Sequence, residues 1–543
     1  MFNIGLDFDN TIACYEFVFP KVAKKLGWVN NNWLGTKKEL KDWLRNQPGG
    51  ELQWQKLQGL VYGKYMSQAV LFPGVANFFL RCKRMNIQLY IVSHKTEYGH
   101  FDEDKIPLRE AALQWMKSKG FFNERKFSIS SNVVIFCNTR KEKAEQISKL
   151  KLDAFVDDLE EMYSEPGFPG DIKKILFGTE TSKTNSYDTW CSNWTDISRE
   201  LLGNPTLEDY MYWAQMISEG EITEIIELQG RGNSRVHRIQ TENENYFVLK
   251  TYPDRLLHSR NRIEAEFNAY RYLEHTDCTP KTVNLDKDLN MAIYEWVEGM
   301  AVKRIEKRHI IEALSFTKYL WNDAQSLKSS SHPLASEACL SRQQLFSQIE
   351  SRYTKLKERS ELIENLRIFL ESIFEPIWEL VLNWTKNYWP DENVKKELPQ
   401  IERTLSPSDF GFHNTLERPD GSLCFLDLEY FGFDDPVKLI TDFIWHPAMS
   451  LSTNQKKFWV KESLNIFGKT EKIQDRVLAA WPVIGLRWSL ILLNEFLKEG
   501  WEKRVHAKKD IIEFRDEKLK EQLTKSRSIC DFIMKHEMKC PYI

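Results

Sequence analysis

No GxxxxGK[ST] motif occurs in these 543 residues, which removes the P-loop route to a bound nucleoside triphosphate. No CxxC pair and no Cys/His cluster occurs either, so no zinc ribbon or dithiol redox centre is expected. The nine cysteines are scattered, and an odd number in a long chain fits reduced thiols in a cytoplasm, not a disulfide framework. Charge of one sign is not in excess: 75 Lys and Arg stand against 78 Asp and Glu, a net −3, so no overall basic field awaits a nucleic-acid backbone. Local runs such as "KVAKK" and "RVHAKK" read as solvated helix faces. No apolar run looks long enough to span a membrane; "WSLILLNEF" (488–496) is too short. The opening "MFNIGLDFDNT" enters a strand without a basic region followed by an apolar one, so no secretory leader is expected. Repeats and low-complexity tracts are also missing. The expectation is a cytoplasmic protein with neither membrane nor nucleic acid as partner.

What is present is more specific. The length exceeds one hydrophobic core, so two to four domains are expected. Over the first 200 residues, apolar runs at Ile4–Phe8, Gln88–Ser93, Val133–Phe136, Ala154–Val156 and Ile172–Phe177 alternate with helical stretches, the pattern of a parallel sheet. "WTDISREL" reads as a closing helix, and a boundary falls near 200–215. From Ile222 to Gly299 the pattern becomes short strands plus one helix, with "EIIELQG" and "NYFVLKTY" as candidate antiparallel neighbours. Beyond Val302 the chain reads as mostly helical, interrupted by the loop "SLKSSSHPLASEA".

The first motif is "IGLDFDNT". An apolar strand delivers Asp7, Asp9 and Thr11, and period two turns both acids to one side at the strand's carboxyl end, where open α/β sheets bind ligands. Two close carboxylates repel, so a cation between them is the natural solution, and oxygen ligands suit Mg²⁺. Ser93 ends "IQLYIVS", Lys143 begins "KAEQISKL", and Asp157 and Asp158 end "DAFVDD". This order resembles the haloacid dehalogenase superfamily over residues 1–200. The resemblance implies that Asp7 is a nucleophile taking a phosphoryl group and Asp9 the general acid/base. It implies that Asp7, Asp9, Asp157 and Asp158 surround Mg²⁺, while Thr11, Ser93 and Lys143 hold phosphate oxygens, with Lys141 the alternative to Lys143. Residues of about 14–80 would form a helical cap that selects the substrate.

The second constellation begins with Gly230 and Gly232 between two strand candidates, where backbone N–H groups can face phosphates. Lys250 ends the strand "YFVLK". In "EAEFNAYRYL", Glu266, Tyr270 and Leu273 share one helix face, and Glu264 competes with Glu266 as the lysine's partner. "LSPSDFGFHNTL" (405–416) spells Asp-Phe-Gly, the metal-binding letters of protein kinases. Asn414 stands five residues after Asp409, and "CFLDLEY" follows a turn, which is the order of a catalytic loop and then a metal aspartate. Asp409 is therefore read as the base, Asn414 and Asp427 as metal ligands, and Phe410-Gly411 as coincidence. Read the other way, Asp409 as the metal ligand needs an upstream base that "NVKKELPQIERTL" does not supply. These residues resemble the aminoglycoside phosphotransferase and choline kinase family over roughly 220–500. Pro407-Ser408 stands where that family often has His-Gly. Glu295 and Val297 in "AIYEWVEG" would then face a nucleobase. Glu429 is expected to be structural, and Asp434, Asp435 and Asp442 to serve turns and helix caps. Trp378, Trp384 and Trp389 could stack on a sugar, but helix packing is the plainer reading.

The expected architecture is a Rossmann-like α/β domain with a small helical cap (1–200), a linker (201–218), and an α+β bilobal kinase-like fold with a small lobe (219–300) and a helical large lobe (301–543). The expected function is a bifunctional phosphatase and kinase of sugar or surface-glycan precursor metabolism. It would use Mg²⁺ with ATP or another nucleoside triphosphate and phosphorylate a sugar, polyol, amino alcohol or amino acid. Two alternatives stand beside it: a kinase-like half that only senses a nucleotide or metabolite, and nucleic-acid end processing.

Overall fold

The computed structural model describes residues 2–99, 101, 104–178, 186–228, 234–253, 261–326, 332–468, 472–498, 500–501 and 514–543. The front of the chain builds a six-stranded sheet from β1 (Asn3–Leu6), β4 (Gln88–His94), β5 (Val134–Cys137), β6 (Ala154–Asp157), β7 (Lys173–Phe177) and β8 (Thr189–Cys191), in the order β5-β4-β1-β6-β7-β8. Every pairing in it is parallel. Ile4, Leu6, Ile91 and Val156 are fully buried, as expected of central strands covered on both faces. The order reverses on either side of β1, so the carboxyl ends of β1 and β6 flank the crevice where such sheets take ligands. The strand β8 escaped the sequence reading because it is three residues long and follows a polar stretch.

Between β2 (Ala13–Cys14) and its antiparallel partner β3 (Val70–Leu71) lie the helices Val18–Lys25, Lys37–Arg45 and Gly50–Tyr62. Residues 201–218 do not form a bare linker. They carry the helix Leu207–Ile217, capped reciprocally by Thr206 and Asp209. Buried Asp209 also pairs with Arg81 at 3.1 Å and Arg84 at 2.8 Å, fastening this helix to the front sheet's flanking helix Val75–Arg84. The helix is amphipathic enough to fill an interface, which a boundary estimate from composition does not reveal.

A second sheet, antiparallel, comprises β9 (Ile222–Leu228), β10 (Arg235–Thr241), β11 (Tyr246–Thr251), β12 (Thr282–Asp286) and β13 (Met291–Glu295), ordered β12-β13-β11-β10-β9. The expected direct pairing of 222–228 with 246–251 does not occur. β10 lies between them and pairs with both, its "RVHRIQT" having been hidden by an arginine on each face. Trp213, Ile239, Leu249 and Met291 join the front sheet's core, so the two sheets share one apolar interior.

The remainder is helical and has its own core around Trp459 and Trp481. Its central helix, Ile473–Phe496 with its last turn, has mean hydropathy 1.5 over an 18-residue window, long and apolar enough to cross a membrane by composition alone. This corrects the reading that no such segment exists. That window is 78% buried within the protein, which marks it as a core helix packed on all sides. Its charged members, among them buried Arg487, had made the sequence run look short.

Candidate active sites

The first site lies at the β1/β6 crevice. Leu6 pairs with Val156, so Asp7 and Asp157, one step further on, meet at the strand ends. The helix Arg140–Leu150 starts after β5, capped by Thr139, and places Lys143 in its first turn. Lys143 Nζ lies 2.6 Å from Asp7 Oδ1 and 2.7 Å from Asp157 Oδ2, all three side chains buried. Lys141, the competing lysine, is exposed. Oxygens of Asp7, Asp157 and Asp158 all fall within 4.8 Å of one another, a carboxylate set that fits a hard divalent cation. Burial pushes the Asp7 carboxyl up to about 7, against the pull of Lys143. Burial raises Asp158 as well, with Asp7 and Asp157 adding repulsion. The hydroxyls of Thr11 and Ser93 are buried without a hydrogen-bond partner, an unmet capacity that phosphate oxygens would fill.

Asp9 departs from expectation. Its carboxylate stands outside the cluster of three and binds Lys95 Nζ at 2.7 and 3.0 Å and the Tyr15 hydroxyl at 2.5 Å. A paired cation already satisfies it, so it is not placed as a metal ligand. Lys95 was missed in the sequence, although it stands two residues beyond Ser93 on the same strand exit.

The second site joins the antiparallel sheet to the helical part. Lys250 Nζ lies 2.7 Å from Glu266 Oε2 and 2.7 Å from Asp427 Oδ1. Glu266 projects from the helix Arg262–Leu273, where Tyr270 donates to it at 2.7 Å and Tyr252 donates to its other side. Glu264 instead pairs with Lys287. Asp427 follows the hairpin of Thr415–Glu417 and Leu423–Phe425, with φ +62°, a left-handed conformation that a non-glycine residue holds only when its surroundings fix it. Lys250 and the Tyr270 hydroxyl, which accepts from the Asp427 N–H at 2.8 Å, supply that constraint.

Asp409 has different partners from Lys250. Both His413 Nε2 and His446 Nε2 lie 3.1 Å from its Oδ1, and the two imidazoles stack at 3.9 Å. Ala448 N–H donates to His446 Nδ1 at 3.2 Å, which leaves the proton on Nε2 to donate to Asp409. Burial acts to raise the Asp409 carboxyl, but hydrogen bonds from His413 and His446 hold it well below the usual carboxylate range. Ser408, just before it, is left-handed at φ +67°. Asn414 donates to the Asp409 carbonyl at 3.2 Å, and its own carbonyl accepts from Leu426 N–H at 2.8 Å, so the loop bearing Asp409 and the strand end bearing Asp427 are tied together. Phe410 is buried against Phe316, Phe425 and Phe443. The Asp beside the lysine is thus Asp427, and the Asp-Phe-Gly spelling is a core phenylalanine next to a different acid.

Other expected positions fall as follows. Gly230 and Gly232 lie outside the described residues. Glu295 ends β13 and Val297 follows it, half-buried. Glu429 pairs with Arg262 at 2.7 Å, and burial pushes it up to about 7. Asp435 caps the helix Pro436–Trp445, whereas Asp434 and Asp442 pair with Lys438 at 2.9 and 3.2 Å, an ion cluster instead of a cap. Trp378 packs on Phe346, Trp384 on Tyr388, and Trp389 against Arg342. His413, His446 and Arg262 were not singled out in the sequence; His446 and Arg262 lie far along the chain from their partners, whereas His413 stands four residues after Asp409 in the same loop and was open to notice.

A cleft of about 3590 Å³ runs past the rim of the first site to the second. Asn10, Lys37 and Asp158 line it on the first side, and Asp409, Asn414 and Asp427 on the second.

No protein-family model matches the chain, and no curated protein matches it. Solved structures do resemble it. A choline kinase from Cryptosporidium parvum is 14% identical with a TM-score of 0.38, covering 61% of this chain and 98% of that one. An ethanolamine kinase from Plasmodium vivax is 13% identical with a TM-score of 0.36, covering 60% and 96%. An ADP-bound aminoglycoside phosphotransferase is 17% identical with a TM-score of 0.37, covering 60% and 99%.

Proposed function

We propose that the chain is a bifunctional enzyme with a haloacid-dehalogenase-like phosphatase centre around Asp7 and a small-molecule kinase centre around Asp409. The observation that carries the kinase reading is Lys250 held between Glu266 and Asp427 next to a loop bearing Asp409 and Asn414. A strand lysine oriented by a helix glutamate is suited to the α- and β-phosphates of ATP, and Asp427 with Asn414 to Mg²⁺. Asp409 would accept the proton as an acceptor hydroxyl attacks the γ-phosphorus, the phosphorus–oxygen bond to ADP breaking as the new ester forms. The two imidazoles would keep Asp409 ionised and aimed.

In the phosphatase centre, Asp7 would attack the phosphorus of a monoester and release the alcohol. Water would then hydrolyse the aspartyl-phosphate to inorganic phosphate. Mg²⁺ at Asp7, Asp157 and Asp158 would supply charge neutralisation, with Lys143, Ser93 and Thr11 holding the phosphoryl oxygens. A kinase and a phosphatase acting on one ester would only waste ATP. A metabolite phosphorylated at one position and cleared at another, as in sugar or polyol activation, avoids that cycle. The two activities are separable by single substitutions. Asp7→Asn should end Mg²⁺-dependent ester hydrolysis and spare ATP-dependent ester formation, and Asp409→Asn should do the reverse. Loss of both activities in either variant would contradict two independent centres.

A further inference from the structure

The structure assigns to Lys95 the positioning of Asp9, an inference that rests on the phosphatase reading above. Lys95 leaves the carboxyl end of β4 from a fixed point: its N–H donates to Cys137 O at 3.0 Å, and its carbonyl accepts from Arg109 Nε at 2.9 Å. Its Nζ reaches both oxygens of Asp9, at 3.0 and 2.7 Å, and rides over the rings of Phe8 and Tyr62 at 5.4 and 5.0 Å. Tyr15, braced edge-on by Tyr62 at 4.9 Å, donates to Asp9 Oδ1 at 2.5 Å. With both oxygens engaged, the carboxylate has one orientation. The Lys95 side chain is 2% exposed and that of Asp9 16%, so the cation stands behind the acid and the acid faces outward.

That arrangement differs from Lys143, which binds the nucleophile Asp7 and Asp157. Lys95 has no contact with either, and its ion pair is with the residue that must exchange a proton with the leaving oxygen. Aim matters most when that oxygen is a poor leaving group: Asp9 in its acid form gives its proton to the alkoxide as the phosphorus–oxygen bond breaks and regains one from the water that opens the aspartyl-phosphate, whereas p-nitrophenolate departs largely without help. A lysine that only stabilised the fold would affect both ester types alike.

The test compares p-nitrophenyl phosphate with glycerol 2-phosphate, both with Mg²⁺, in wild type, Lys95→Met, Lys95→Arg, Tyr15→Phe and Asp7→Asn. Lys95→Met should lower kcat for glycerol 2-phosphate about 100-fold more than for p-nitrophenyl phosphate, with KM for the two esters moving together by less than about threefold. Lys95→Arg should recover most of the difference, and Tyr15→Phe should show a smaller effect in the same direction. Equal losses on both esters in Lys95→Met, or no recovery in Lys95→Arg, would overturn the assignment. So would a large rise in KM for both, which would make Lys95 a phosphate ligand. Wild type hydrolysing neither ester faster than Asp7→Asn would instead overturn the phosphatase reading, and the inference with it.

Discussion

Lys250 Nζ lies 2.7 Å from Asp427 Oδ1, a contact between residues 177 positions apart. It is made between the end of β11 and the end of a small hairpin in the helical part, so it closes the second site across two separately built layers. The same ammonium holds Glu266, and its pKa is raised well above the ordinary lysine value because, although burial opposes it, Asp427 and Glu266 favour the charge.

Lys250→Met should therefore do two things. It removes a charge-assisted contact from the ATP phosphates, weakening ATP·Mg binding roughly tenfold to a hundredfold. It also leaves Glu266 buried with only tyrosine partners, lowering stability by about 3 kcal/mol. Calorimetric titration with a non-hydrolysable ATP analogue and urea melts read the two effects separately. Lys250→Met, Glu266→Gln should recover part of the stability and none of the binding.

With Asp409 as the proposed base, Asp409→Asn should retain ATP binding within about threefold and lower phosphoryl transfer by about 100-fold or more. His446→Ala should show a milder loss in kcat with KM for ATP unchanged. Its Nε2–H orients Asp409, and His413 remains on the same oxygen. Steady-state kinetics with varied ATP would show this split.

The cluster of Asp7, Asp157 and Asp158 should make the fold responsive to Mg²⁺. At a tenfold excess over Kd the ion should add about 1.4 kcal/mol of stability, seen as a rise in Tm. Asp157→Asn should abolish that component of the rise while leaving any contributed by ATP·Mg at the second site.

His237 offers a pH test of the junction between the sheets. It is fully buried in β10, its ring tilted 32° against that of Tyr210 at 4.3 Å, with neither ring nitrogen hydrogen-bonded. Burial lowers its pKa from 6.5 to about 4, so between those values the unfolded chain binds a proton that the folded chain refuses. Stability must then fall as pH drops from 6.5 to 4, and the cost is absent above 6.5. The loss should be about 2–3 kcal/mol. His237→Phe should flatten this limb in urea melts at pH 7 and pH 5.

The parallel sheet was legible because most of its strands are short apolar runs separated by helical stretches, and two strands, β1 and β6, run into acids. Lys143 over Lys141 followed from its spacing to "VDD" and the helix pattern after it, and Glu266 over Glu264 from its spacing to Leu273, all short-range properties. The assignment of roles to Asp409 and Asp427 followed from order along the chain, and Asp427 does stand beside Lys250. What stayed hidden was set by tertiary contact or by short length. β10 reads as polar because its outer face carries arginine and glutamine. The helix Leu207–Ile217 fills an interface whose other side lies far off in sequence. Lys95 and His446 acquire meaning only from the acids that the fold brings to them, whereas His413 lies four residues from Asp409 and was a local signal passed over.

The most direct measurement is ³¹P NMR of the Asp7→Asn protein incubated with Mg²⁺, ATP and a pool of sugars, polyols, amino alcohols and amino acids, with Asp7→Asn, Asp409→Asn as its control. The account predicts a new phosphate ester and ADP in the first sample and neither above background in the control. ATP·Mg that binds tightly while no ester forms from any pool member would contradict a small-molecule kinase and favour a half that only senses the nucleotide.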